Sequence, residues 1–100
     1  MTKALYMNDS YLKEFEAVVE SVKDDKFVVL DQTAFYPNGG GQPFDTGKII
    51  RVNGGKEFNV VFTGKFDGNI SHEVDSAGLI TGDRVKGVVD WDRRYQLMKS

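Results

Sequence analysis

Cysteine is missing from this sequence altogether, and histidine occurs once, at His72. The first absence excludes a disulfide framework and any thiolate metal site. The second excludes a His-rich zinc centre built from this chain's own imidazoles. Proline is nearly absent as well, with Pro37 and Pro43 alone. No apolar run approaches the ~18 residues of a membrane span, and the start Met1-Thr2-Lys3-Ala4-Leu5-Tyr6 lacks a signal-peptide core. The expectation is therefore no membrane partner and a reducing, cytoplasmic setting. Excess positive charge is lacking too. Thirteen Lys and Arg against fifteen Asp and Glu leave a formal net charge of −2, which argues against a polycationic nucleic-acid binder. The distribution is uneven. Residues 84–100 carry Arg84, Lys86, Arg93, Arg94 and Lys99 against Asp90 and Asp92, a net of +3, which leaves −5 on the first 83 residues. A basic C-terminal segment can touch phosphate, because the attraction is local once salt screens beyond ~10 Å. A solvated helix face is the other reading of the same residues.

What is present is ordinary for one small globular domain: 100 residues, 40% hydrophobic and 28% charged. An apolar run at residues 4–7 reads as an edge strand, and Asn8-Asp9-Ser10 can cap a helical turn over residues 11–15. Phe15, Val18, Val19 and Val22 fit a helix by spacing. Their β-branched content, and the turn Lys23-Asp24-Asp25-Lys26 that follows, predict a strand folding back into Phe27-Val28-Val29-Leu30. Further strands are predicted at residues 47–52, 58–63, 70–74 and 84–90. Asn53-Gly54 signals a hairpin whose two central residues need φ > 0, and residues 64–69 read as a turn. Short strands at regular intervals with turn signals indicate an antiparallel barrel or sandwich. Residues 91–99, with Asp92 able to cap, change to a short helical pattern.

One stretch stands apart from this strand-and-turn texture, running from Asp31-Gln32-Thr33-Ala34-Phe35-Tyr36-Pro37-Asn38 through Gly39-Gly40-Gly41-Gln42 to Pro43-Phe44-Asp45-Thr46-Gly47. Both prolines and four of the eleven glycines fall in it. A loop stiffened by proline and stripped of side chains lets its N–H groups converge on a ligand, although a wide turn between strands is the plainer reading. Asp31 and Asp45 flank it as a possible acid–base pair or, more simply, as backbone-capping carboxylates. Phe35, Tyr36 and Trp91 can stack on a nucleobase or fill a small core. His72 titrates nearest neutrality, and a lone histidine on a strand is ordinarily structural or on the surface.

The pattern Thr33-x-Phe35-Tyr36-Pro37-x-Gly39-Gly40-Gly41-Gln42-x-x-Asp45-x-Gly47 resembles the signature of the alanyl-tRNA synthetase editing family, which includes freestanding AlaX-type editing proteins. The resemblance extends to His72-Glu73-Val74-Asp75, to Gly82-Asp83, and to residues 88–98, so it covers nearly the whole chain. It implies an all-β fold at residues 1–90, a small antiparallel β-barrel like that of translation factors. A short C-terminal helix at residues 91–100 would lead to a separate editing domain. It implies tRNA for alanine, mischarged with serine or glycine, as partner, and ester hydrolysis at a zinc site. The family's zinc ligands follow the Trp91-to-Met98 match and are absent from these 100 residues, so the expectation is no metal and no catalytic residue here. The resemblance places Thr33, Gly39, Gly40, Gly41 and Gln42 at the substrate pocket, with the Thr33 hydroxyl reaching the substrate's own. Arg93, Arg94 and Lys99 are the tRNA-phosphate candidates. A barrel parted from its editing domain would expose an apolar interface and self-associate. A non-catalytic barrel that binds RNA or protein stays open beside this reading.

Overall fold

Alternation decides the fold. The computed structural model describes residues 3–5, 13–38, 44–66 and 68–91. The strands are β1 (Lys3–Ala4), β2 (Glu14–Lys23), β3 (Phe27–Leu30), β4 (Gln32–Thr33), β5 (Gly47–Arg51), β6 (Glu57–Phe66), β7 (Asn69–Val74) and β8 (Arg84–Val89). Among them β2, β3 and β8 and the first half of β6 bury alternate side chains. Six of them close into an antiparallel barrel in the order β2-β3-β7-β6-β5-β8. The all-β barrel expected from the sequence is the fold found.

β2 shows why its apolar spacing imitates a helix. Phe15, Ala17 and Val19 point inward, and a bulge between Val19 and Ser21 then inserts one residue, so that Val22 rejoins the core beside Val28. The hairpin predicted into β3 is found, and it turns on Asp24 (φ 54°) and Asp25 (φ 59°), the two left-handed residues of a type I′ turn. β8 closes the ring by pairing with β2 (Glu14↔Val88) and with β5 (Gly47↔Val89), which leaves the barrel without an open edge. At that seam a Cβ on Gly87 would lie 2.3 Å from the Phe15 ring, so the absent side chain lets the aromatic lie flat against β8. Val19, Val28, Leu30, Phe35, Ile49, Phe58, Val85 and Val89 fill the interior.

Three local expectations are corrected. The 52–55 turn is not the Asn53-Gly54 type I′ turn. Positive φ falls at Gly54 (94°) and Gly55 (72°), and Arg51 and Lys56 close the loop through an N–H to carbonyl bond of 2.9 Å. Left-handed backbone costs least where there is no Cβ, so the turn moves by one residue to use both glycines. Residues 64–66, expected as turn, extend β6 instead. A bulge between Val60 and Phe62 shifts its register, and Thr63 faces inward where simple alternation from Phe58 would send it out. The helical turn expected over residues 11–15 is also corrected, because Glu14 and Phe15 already belong to β2 and pair with Val88 and Gly87 across the barrel seam. β1 lies at residues 3–4, and part of the predicted edge strand falls outside the described residues. So does the helix after Trp91. Trp91 itself is half-buried with the Lys13 amine 5.3 Å from its ring centroid.

Candidate functional site

The chain leaves the barrel at Leu30, and the acidic residue that follows fastens it to β2. Asp31 accepts the Val18 N–H through Oδ1 at 2.9 Å, and its own N–H donates to the Val18 carbonyl at 3.0 Å. Gln32 Nε2 donates to the Glu16 carbonyl at 2.6 Å. β4 then pairs in parallel with β1, Lys3 beside Gln32 and Ala4 beside Thr33. These bonds set where the glycine loop begins.

Thr33 is fully buried at the root of that loop. Its Oγ1 lies 2.8 Å from His72 Nε2 on β7 and accepts the Phe35 N–H at 3.0 Å. The other ring nitrogen, Nδ1, lies 2.9 Å from the Val28 carbonyl oxygen. A carbonyl only accepts, so Nδ1 carries the hydrogen, Nε2 is bare, and the Thr33 hydroxyl donates to it. Burial lowers the His72 pKa from 6.5 to about 4, partly offset by the bond to Val28. The imidazole is therefore neutral at pH 7. Its ring also meets Phe35 edge-on at 5.3 Å between centroids.

The neck of the loop is held separately. Tyr36 N–H donates to Asp45 Oδ2 at 2.8 Å, and Asp45 N–H donates to the Tyr36 carbonyl at 2.9 Å, so residues nine apart are clasped together. Thr63, turned inward by the β6 bulge, donates from Oγ1 to the Asp45 carbonyl at 2.8 Å, and its own carbonyl accepts the Asn38 N–H at 2.8 Å. Phe44 packs on Phe62 at 4.8 Å. Beyond the clasp, a Cβ on Gly47 would lie 2.0 Å from the Val88 carbonyl oxygen and 2.9 Å from the Phe35 ring. Only hydrogen fits there.

Of the residues singled out from the sequence, Thr33 is thus placed at the loop's root beside His72. Gly39, Gly40, Gly41 and Gln42, and the basic Arg93, Arg94 and Lys99, lie outside the described residues. Asp31 and Asp45 each cap backbone N–H groups, the second of the two roles foreseen for them. His72 and Thr63 were not among the site residues. The alternation Ile70, His72, Val74 is a signal that sets the imidazole on the core face, whereas nothing in the sequence marks the bulge that turns Thr63 inward. Among the described residues no three His, Cys, Asp or Glu side chains gather as metal ligands, and both nitrogens of His72 are engaged. These residues do not fit a zinc site. No helix among them is long and apolar enough to cross a membrane.

The family profile described as "tRNA synthetases class II (A)" matches residues 2–93, a span that contains the root, the neck and the whole barrel. The chain belongs to this family. Within it, the chain is 62% identical over 103 residues to an alanyl-tRNA editing protein AlaX-M of Methanosarcina barkeri, covering 99% of this chain and 42% of that protein. It is 42% identical over 100 residues to the AlaX-M of Saccharolobus solfataricus, with 99% and 42% covered. It is also 52% identical over 101 residues to an alanine–tRNA ligase of Pyrococcus abyssi, covering 98% of this chain and 10% of the ligase. The chain thus spans about two-fifths of its AlaX-M relatives and a tenth of the ligase.

Proposed function

We propose that these residues form the N-terminal barrel of an alanyl-tRNA editing deacylase, or the equivalent region of an alanine–tRNA ligase, in the cytoplasm. The barrel presents the loop of Gly39, Gly40, Gly41 and Gln42, with Thr33 at its base, as one wall of the pocket for mischarged tRNA. The observation that carries this is the double fastening of the loop. A bare Gly-Gly-Gly turn would not need a fully buried Thr–His pair at its root and an Asp clasp at its neck. Flanks held this firmly at Thr33, Phe35, Tyr36 and Asp45 fix where the loop starts and ends, which favours recognition by its N–H groups. The likeness to alanyl-tRNA editing proteins along 99% of this chain supports tRNA for alanine as the partner, and in this reading that tRNA carries serine or glycine. Arg93, Arg94 and Lys99 are then the contacts to tRNA phosphate.

In this reading the ester is hydrolysed with zinc held by a companion C-terminal editing domain, and this chain positions the acceptor end. The barrel alone is inactive, and its companion-facing surface promotes self-association, which a dilution-stable monomer in sedimentation would oppose. The test is deacylation of seryl-tRNA for alanine by the 100-residue chain, with zinc and then with chelator, followed by addition of the metal-bearing remainder of an AlaX-M relative. No turnover by the chain alone and restored turnover in the mixture is the expected result. Turnover that persists in chelator and is lost in Gln42→Ala would place the chemistry in the loop and overturn the proposal. A barrel that binds RNA or protein without any chemistry is the second reading, favoured by the internal engagement of both His72 nitrogens.

A further inference from the structure

An imidazole is an expensive way to fill the centre of a barrel. His72 loses all its hydration, and an apolar side chain of similar volume would occupy the space without that cost. What the imidazole adds is direction. With Nδ1–H given to the Val28 carbonyl, Nε2 is fixed as an acceptor, and the Thr33 hydroxyl hydrogen has one destination. Once the hydroxyl hydrogen is aimed, the lone pairs of Oγ1 are aimed as well, and one of them receives the Phe35 N–H. Three hydrogen bonds thereby run in series from β3, through β7 and β4, to the first residues of the glycine loop. A fully satisfied buried chain of this kind rigidifies what it joins. The Phe35 ring, wedged edge-on between His72 and Phe15 (5.6 Å), keeps the last link from rotating away.

We infer that His72 is a positioning residue for the pocket wall, fixing through Thr33 the direction in which the backbone leaves β4 for the glycine loop. The role rests on the reading of that loop as a substrate wall given above. It differs from a direct contact between Thr33 and a substrate hydroxyl, because a positioning residue acts alike on ligands with and without that hydroxyl.

The experiment uses the 100-residue chain and two readouts. Nitrogen-15 NMR reports the His72 tautomer and the exchange rate of the Phe35 amide in wild type, His72→Phe, Thr33→Val and Thr33→Ser. Non-hydrolysable adenosines bearing a 3′-serylamide or a 3′-alanylamide are then titrated into each. His72→Phe and Thr33→Val are expected to speed Phe35 exchange about tenfold, while Val74 and Val89 amides in the barrel keep their rates. Thr33→Ser, which keeps the hydroxyl, should restore wild-type exchange. Both adenosines should weaken together, about tenfold, in the first two variants and recover in the third. Unchanged Phe35 protection in His72→Phe would overturn the inference. So would a loss confined to the seryl compound with loop amides undisturbed, since that marks direct contact by Thr33. If His72→Phe does not fold, His72→Leu, which also lacks the acceptor nitrogen, takes its place with the same deciding outcomes. Failure of both adenosines to bind wild type, with exchange as expected, would leave the tether standing and overturn the pocket reading instead.

Discussion

The glycine loop hangs from two buried threonines that use the same chemistry on different partners. Thr33 at the root and Thr63 at the neck are both wholly buried, and both donate their hydroxyl hydrogen. Thr63 gives it to a backbone carbonyl, which accepts under all conditions. Thr33 gives it to an imidazole nitrogen, which accepts only while the ring is neutral. The neck is therefore a permanent clasp, and the root is one whose strength depends on a proton. A hydroxyl tether is only as constant as its acceptor.

Gly47→Ala should break this contrast most completely, since the added methyl would strike the Val88 carbonyl on the neck side and the Phe35 ring on the root side together. A loss of about 3 kcal/mol or more in urea unfolding is expected, at the upper end of overpacking effects. A wild-type midpoint would mean that the two tethers tolerate a shift in common. Acid should separate them. The His72 pKa is about 4 folded, against 6.5 for the free group, so between those values the unfolded chain binds a proton that the folded chain refuses. This contribution to stability is complete above pH 6.5 and falls by roughly 3 kcal/mol as pH drops to 4. Amide exchange across that window should show Phe35 opening before Asn38, and simultaneous opening would erase the distinction.

Thr33→Val and Thr63→Val refine the comparison at similar volume. The first removes the partner of His72 Nε2 and of the Phe35 N–H, with an expected cost of about 2 kcal/mol; the second removes one bond to the Asp45 carbonyl, about 1 kcal/mol. Equal losses by thermal or urea unfolding would show that the ring confers nothing beyond a generic acceptor. Lys48→Ala serves as the floor of the scale. It removes an exposed ion pair with Glu57 and should change stability by less than about 0.5 kcal/mol.

The barrel was legible because its physics is periodic. Alternating inward residues, the Lys23-to-Lys26 hairpin turn and the loop's Gly and Pro content all announce themselves locally, and the family signature was carried by residues adjacent in the chain. The tethers were not legible in the same way. Thr63 needed the β6 bulge to face inward, and a bulge depends on the partner strand, not on its own sequence. The bond between Thr33 and His72 joins residues that only barrel closure brings together. Thr33 was singled out for its motif, while the residue that aims its hydroxyl looked like an ordinary strand histidine.

The seam of the barrel carries a consequence for how the protein is made. β8 is the last of the described strands, yet it supplies partners to residues 14–18 and to residues 47–51 at once. Until it emerges during synthesis, β2 and β5 each present an unpaired edge, and the ring cannot close. Closure of the ring then waits on contacts between its first and last strands, the kind of topology that folds in milliseconds to seconds, not microseconds. For that interval the edges of β2 and β5 that β8 will cover are open to the mispairing that a closed ring prevents.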